Sequence, residues 1–181
     1  MFPPAVLPSH VAVPPPIAKQ MGALDGKQQV AEKPAWKVGD RWEFRQVTSP
    51  GDESRTWSRK IVELLPDERL RVEFGNGTVE NYDAALNLIP DGRADFVRVL
   101  ARYPLKVGDQ WTYTRKFANR EVEEKGAAKV AAFESVTVPA GTFECFRVDV
   151  DASFNDKQYS EQRLWNRWYC PAVKWIAKER L

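Results

Sequence analysis

One histidine, two cysteines and two methionines are all that 181 residues supply. His10 stands alone among prolines, which removes Ser-His-Asp, Cys-His and multi-histidine metal sites from consideration. Cys145 and Cys170 cannot complete a structural zinc site by themselves, and neither lies in a Cys-x-x-Cys pattern. In an exported protein they can pair as a disulfide; in a reducing cytosol they stay as thiols. The choice turns on a separation that sequence does not carry. An excess of one charge is also missing: 27 basic against 25 acidic residues leave +2, too mild for a nucleic-acid groove or an anionic membrane surface. No glycine-rich phosphate loop, nucleophile elbow or dinucleotide fingerprint occurs. No catalytic residue, cofactor or metal is expected, and the chain reads as a non-enzyme.

A long uninterrupted apolar run is lacking as well. Pro3, Pro4, Pro8, Pro14, Pro15 and Pro16 break any helix or strand near the start, and the first charged side chain is Lys19. That opening makes a poor transmembrane helix, and without a basic start a poor signal peptide. Residues 1–34 therefore read as a proline-rich tail or linker of polyproline type, poorly packed on the body and serving as a spacer or a disordered leader.

Aromatics are plentiful, at seven Trp, nine Phe and five Tyr. Two of the tryptophans stand in a repeated phrase. Lys37-Val38-Gly39-Asp40-Arg41-Trp42-Glu43-Phe44 returns as Lys106-Val107-Gly108-Asp109-Gln110-Trp111-Thr112-Tyr113. In each copy Gly39 or Gly108 frees the backbone for a structural turn, and Asp40 or Asp109 fixes it by bonding nearby amides. Trp then opens a strand whose next aromatic lies two residues on, on the same face. The recurrence predicts two similar β halves, about 36–90 and 105–181, sharing one core within a single domain over 35–181.

Between these marks the chain alternates. Strands are expected over Trp42 to Val47, Thr56 to Leu65, Leu70 to Phe74 and Thr78 to Ile89. The second half adds Trp111 to Phe117, then Glu121 to Thr137 with a turn near Gly126. Phe146 to Phe154, Gln158 to Tyr169 and Lys174 to Arg180 complete it. Leu70–Phe74 and Phe146–Val150 are equivalent in the two halves once an insertion is allowed. In residues 94–103, Phe96, Val99, Leu100 and Tyr103 carry helical spacing while Val97 and Val99 also suit a strand; a short helix is the favoured of the two readings. Short turns between successive strands give an antiparallel meander. The fold class is mainly β: a strongly curved antiparallel sheet, half-barrel or barrel, with an internal duplication and at most one or two short helices.

Candidate chemistry reduces to bland readings. Glu121, Glu123 and Glu124, or Asp149 and Asp151, are carboxylate groups that glycosidase chemistry would need across a cleft; a solvated strand face accounts for them better. Arg163, Trp165, Arg167 and Trp168 imitate a single-strand nucleic-acid platform, yet edge-strand arginines stacked on rings explain them with less. Trp42 and Trp111 read as core. Trp57, Trp165, Trp168 and Trp175 are the candidate ligand-binding set, since a concave sheet lined by aromatics can hold an apolar chain. A fully packed interior is the competing account.

Three fragments together resemble a known family: Pro104 to Trp111, Val138-Pro139-Ala140-Gly141-Thr142-Phe143-Glu144-Cys145-Phe146, and Trp168-Tyr169-Cys170-Pro171-Ala172-Val173. Over residues 36–181 the chain is similar to the TapB-like bacterial envelope proteins, whose curved half-barrel sheet is shared with the LolA/LolB lipoprotein carriers. The family continues the last fragment with Gly where this chain has Lys174. The resemblance implies a periplasmic or outer-membrane-associated protein and supplies no catalytic residue. Two functions follow as expectations. One is a non-catalytic envelope protein binding an apolar ligand such as a lipid or acyl chain. The other is an envelope interaction or scaffolding module that meets a protein partner. Neither nucleic acid nor a transmembrane segment enters.

Overall fold

The computed structural model describes residues 29–46, 55–89, 99, 101–116, 122–156, 158 and 160–181. The alternation of apolar and polar residues makes most of them strand. After β1 (Val30–Ala31), the strands β2 (Arg41–Gln46), β3 (Arg55–Leu64), β4 (Leu70–Phe74), β5 (Val79–Tyr82) and β6 (Leu88–Ile89) form a five-stranded antiparallel meander in chain order. This sheet curls strongly into a half-barrel. β7 (Leu105–Lys106) pairs with β1 as a two-stranded strap. A second five-stranded meander follows: β8 (Gln110–Lys116), β9 (Glu123–Val138), β10 (Gly141–Asn155), β11 (Ser160–Cys170) and β12 (Trp175–Arg180). The protein is mainly β. Among the described residues the helical structure is one 3-10 turn, Pro171–Val173.

Both copies of the repeated phrase close alike. Gly39 and Gly108 take φ of 96° and 98°, a region that side chains disfavour. The Asp40 and Asp109 carboxylates accept from the Lys37 and Lys106 amides at 3.0 and 2.9 Å. Gly39 N–H donates to the Ile61 carbonyl and Gly108 N–H to that of Val130, both at 2.8 Å. From there the registers run together. Ile61 faces Val72 as Val130 faces Val148, and Leu70 faces Tyr82 as Phe146 faces Tyr169. The β9–β10 hairpin is longer than the β3–β4 hairpin, which accounts for the different spacing at which Leu70–Phe74 and Phe146–Val150 follow their turns.

The two tryptophans do not share one core. Trp42 sits in a cluster built by both meanders, with Ile61, Val72 and Tyr82 from the first and Val136, Val138, Val173 and Trp175 from the second. Trp111 sits in another, with Tyr113, Val130, Phe146 and Val148 closed over by Ala31 and Leu105 of the strap. The long hairpin explains the difference. Beyond a bulge between Arg147 and Val148 its far end reaches the first sheet, so the second meander covers apolar groups on both faces.

Other expectations change for local reasons. Val30 and Ala31 belong to the body rather than to the tail, because Ala31 is buried and paired with Leu105; residues 1–28 lie outside the described residues. The strand expected from Thr78 to Ile89 is broken in two. Asp83 accepts from the Ala85 and Asn87 amides at 2.8 Å each, and Leu86 takes φ of 62°. Gly126 makes no turn: β9 runs straight through it, and the glycine makes room for a ring. A Cβ there would stand 2.2 Å from Tyr113 Cζ. The helix expected over 94–103 falls mostly outside the described residues, and Ala101 and Arg102 have no regular structure. Lys174 adopts the left-handed φ of 58°.

Candidate functional site

Between the two meanders lies a cleft of about 270 Å³. Period-two alternation places its walls. Phe44, on the inner face of β2, stacks on Trp57 of β3 at 5.6 Å between centroids and meets Trp175 of β12 edge-on at 6.3 Å. Tyr82 approaches the same Trp175 at 6.3 Å, and Leu86 and Leu88 continue the first wall. The second meander contributes Val148, Tyr169, Ile176 and Ala177, and the strap adds Tyr103 and Leu105. Tyr103 and Tyr169 meet edge to face at 5.5 Å. Burial pushes the phenols of Tyr82 and Tyr169 up to about 12, although the Arg59 charge pulls Tyr82 back. Burial, with Tyr169 beside it, raises Tyr103 too. All three stay protonated near neutrality, with the Tyr82 hydroxyl donating to Glu80 at 3.2 Å and Tyr103 hydrogen-bonded to Tyr169.

Charge enters this apolar space from one side of the scale. Arg59, Arg115, Arg167 and Lys178 line the cleft against a single lining carboxylate, Glu179. Arg167 is buried and paired with Glu179. Arg115 approaches the buried Glu124 at 3.9 Å, and that carboxylate also accepts from the Tyr113 hydroxyl at 2.8 Å. Lys178 Nζ lies 5.1 Å over the Trp168 ring. The Arg59 guanidinium sits among four rings, at 5.0 Å from Phe74, 5.3 Å from Trp175, 5.6 Å from Phe44 and 5.9 Å from Tyr82.

Of the candidate ligand-binding tryptophans, the fold brings Trp57 and Trp175 together in the cleft. Trp165 is buried against Phe154 at 5.9 Å and borders a separate depression with Leu164 and Asp149. Trp168 faces the other side of β11 and donates to Glu134 at 2.6 Å. β11 is no edge strand; it lies between β10 and β12, and the stacking of Arg163 on Phe154 and Arg167 on Trp165 takes place inside the sheet. Asp149 and Asp151 do occupy an outward face, tied to Asn166 and Gln162, and Glu123 is paired with Lys125. Glu124 departs from the solvated reading, because Gly126 lets Tyr113 fold over β9 and bury it. Glu121 lies outside the described residues.

Cys145 and Cys170 are joined in a disulfide, one position beyond the facing pair Phe146 and Tyr169 and on the opposite face of the sheet. The bridge is fully buried in the core built by both meanders. Among the described residues no three His, Cys, Asp or Glu side chains come together to hold a metal ion, and no helix is long and apolar enough to cross a membrane.

These features define a class: a protein of two five-stranded meanders, one curled into a half-barrel, with an aromatic cleft between them. No family model matches the chain, and no curated protein and no solved structure matches it.

Proposed function

We propose that the protein is a non-catalytic protein of the bacterial envelope whose cleft binds the apolar chain of a lipid-like ligand. The observation that carries this reading is the cleft itself. Phe44, Trp57, Tyr82 and Trp175 wall a space of about 270 Å³ between two sheets, just below the roughly 300–1,000 Å³ typical of small-ligand pockets. Such concave, aromatic-lined space with a few polar groups is the usual form of a site for a small apolar molecule. The exposed large apolar side chains, among them Val38, Leu64 and Leu164, are dispersed along different strands and turns, which lends less support to a protein-docking face.

The periplasmic or outer-membrane-associated location is part of the same proposal. It rests on the resemblance to the TapB-like proteins and on a buried disulfide, a bond that reducing compartments rarely sustain. We read the two meanders as copies of one unit, supported by the matched turns and registers. Native mass spectrometry of protein isolated without detergent tests the function: a bound acyl-chain species supports it. A protein that emerges unliganded, and leaves a fluorescent fatty acid unbound after extraction, refutes it.

A further inference from the structure

Resting on that cleft reading, we infer that the ligand is a single-chain amphiphile with an anionic head, and that Arg59 is the residue that holds the head. Four cations and one carboxylate line the cleft, and the carboxylates beside it are engaged, Glu179 by Arg167, Glu124 by Arg115 and Glu80 by the Tyr82 hydroxyl. Among the described residues no carboxylate pairs with Arg59. Its four ring contacts satisfy the flat faces of the guanidinium, but N–H groups point in the plane and need acceptors. Arg59 Nε is buried with no hydrogen-bond partner. A charged donor left unmet away from water carries a penalty that a carboxylate or phosphate oxygen removes, and the guanidinium fork matches either.

The fold does not demand an arginine at this position. Arg59 faces Trp42 across the β2–β3 ladder; at the matching place in the second meander Trp111 faces Ala128. The turn-and-strand unit therefore closes around a small apolar residue equally well. The phenols are engaged within the protein, Tyr82 donating to Glu80 at 3.2 Å and Tyr103 hydrogen-bonded to Tyr169, which leaves the head to the guanidinium. A cavity of about 270 Å³ suits one chain, not two.

The test is calorimetric titration of the full, lipid-stripped chain with four probes of equal length: laurate, dodecyl phosphate, 1-dodecanol and dodecyltrimethylammonium. Laurate or dodecyl phosphate should bind about tenfold or more tighter than dodecanol, the scale of a charge-assisted hydrogen bond, with the cation weakest. The tighter of the two anions identifies the head as carboxylate or phosphate. Arg59→Met should bring the anion-to-alcohol ratio close to one, while Arg59→Lys keeps a preference for the anions. Anions and alcohol bound equally by the native chain, or a preference that survives in R59M, overturns the role of Arg59 and leaves the apolar cleft standing. Binding of none of the four removes the cleft reading and this inference with it. Should R59M fail to fold, the native probe series and R59K decide.

Discussion

Lys174 reaches from the closing turn of the second meander to Asp40 in the opening turn of the first, with Nζ 2.8 Å from the carboxylate and 2.9 Å from the Ala35 carbonyl. The contact explains how a lysine occupies a left-handed position. The backbone conformation costs a side chain of this kind about 1 kcal/mol, and a polar tether across the sheets offsets it. Among the described residues Asp40 thus serves two purposes that its counterpart Asp109 does not combine: it fixes its own turn and anchors the other end of the molecule.

Lys174→Ala keeps the same strained φ and loses only the tether, so it should destabilise the protein by up to about 1 kcal/mol in denaturant unfolding. Lys174→Gly relaxes the backbone while losing the same tether, and should come out near neutral. A glycine variant less stable than the alanine variant would contradict this account.

Gly126→Ala should cost about 2–4 kcal/mol, the range of an overpacked core with a lost buried hydrogen bond. The new methyl drives Tyr113 off its seat and away from Glu124. Combining it with Tyr113→Val should give much less than the sum of the two single effects, because both act on the same contact. Additive losses in that double-mutant cycle would show that the ring is not the obstacle.

How far the sequence disclosed this molecule depends on the period of two. Strands such as Phe146 to Phe154 are legible because their apolar residues alternate without a break, and the Gly-Asp turns because they occur twice. The cleft is only half legible. Trp57 and Trp175 were candidates, yet Trp165 and Trp168, three apart on one strand, necessarily point to opposite faces. Arg59 was missed altogether, though Trp57-Ser58-Arg59-Lys60-Ile61 places a charge between two inward residues. Such a charge reads as an error in the pattern until a facing sheet turns it into a wall. The second core was hidden for another reason: strand alternation says nothing about how far a hairpin extends, and here the β9–β10 extension decides which apolar groups meet.

The Cys145–Cys170 bridge closes a span of 25 residues and should contribute about 3 kcal/mol by restricting the unfolded chain. Cys145→Ala/Cys170→Ala should therefore melt well below the native protein. In the native protein, thiol alkylation should stay slow under mild reductant and become fast only on unfolding, since both sulfurs are buried. Rapid labelling of the folded chain would argue against the buried bridge.

Alkali should destabilise the fold through its tyrosines. An unfolded phenol ionises near 10, whereas Tyr82 and Tyr169 hold their protons until about 12. Between those values the unfolded chain binds fewer protons than the native one, so stability falls as pH rises through that window and is unaffected by these groups below it. Absorbance titration should show these phenols ionising late, together with loss of the β-sheet circular dichroism. Their ionisation near 10 in a still-folded protein would refute the burial.

Because the core around Trp42 takes Val136, Val138, Val173 and Trp175 from the far end of the chain, the first meander has no finished interior when it leaves the ribosome. Trp42 donates its indole hydrogen bond to the Val173 carbonyl, 131 residues away. At synthesis rates of about 5–20 residues per second that partner appears roughly 7–26 seconds later. Until then the amino-terminal sheet is an open, apolar trough that cannot lock. The interior around Trp42 therefore closes only once the last strands of the second meander have been made.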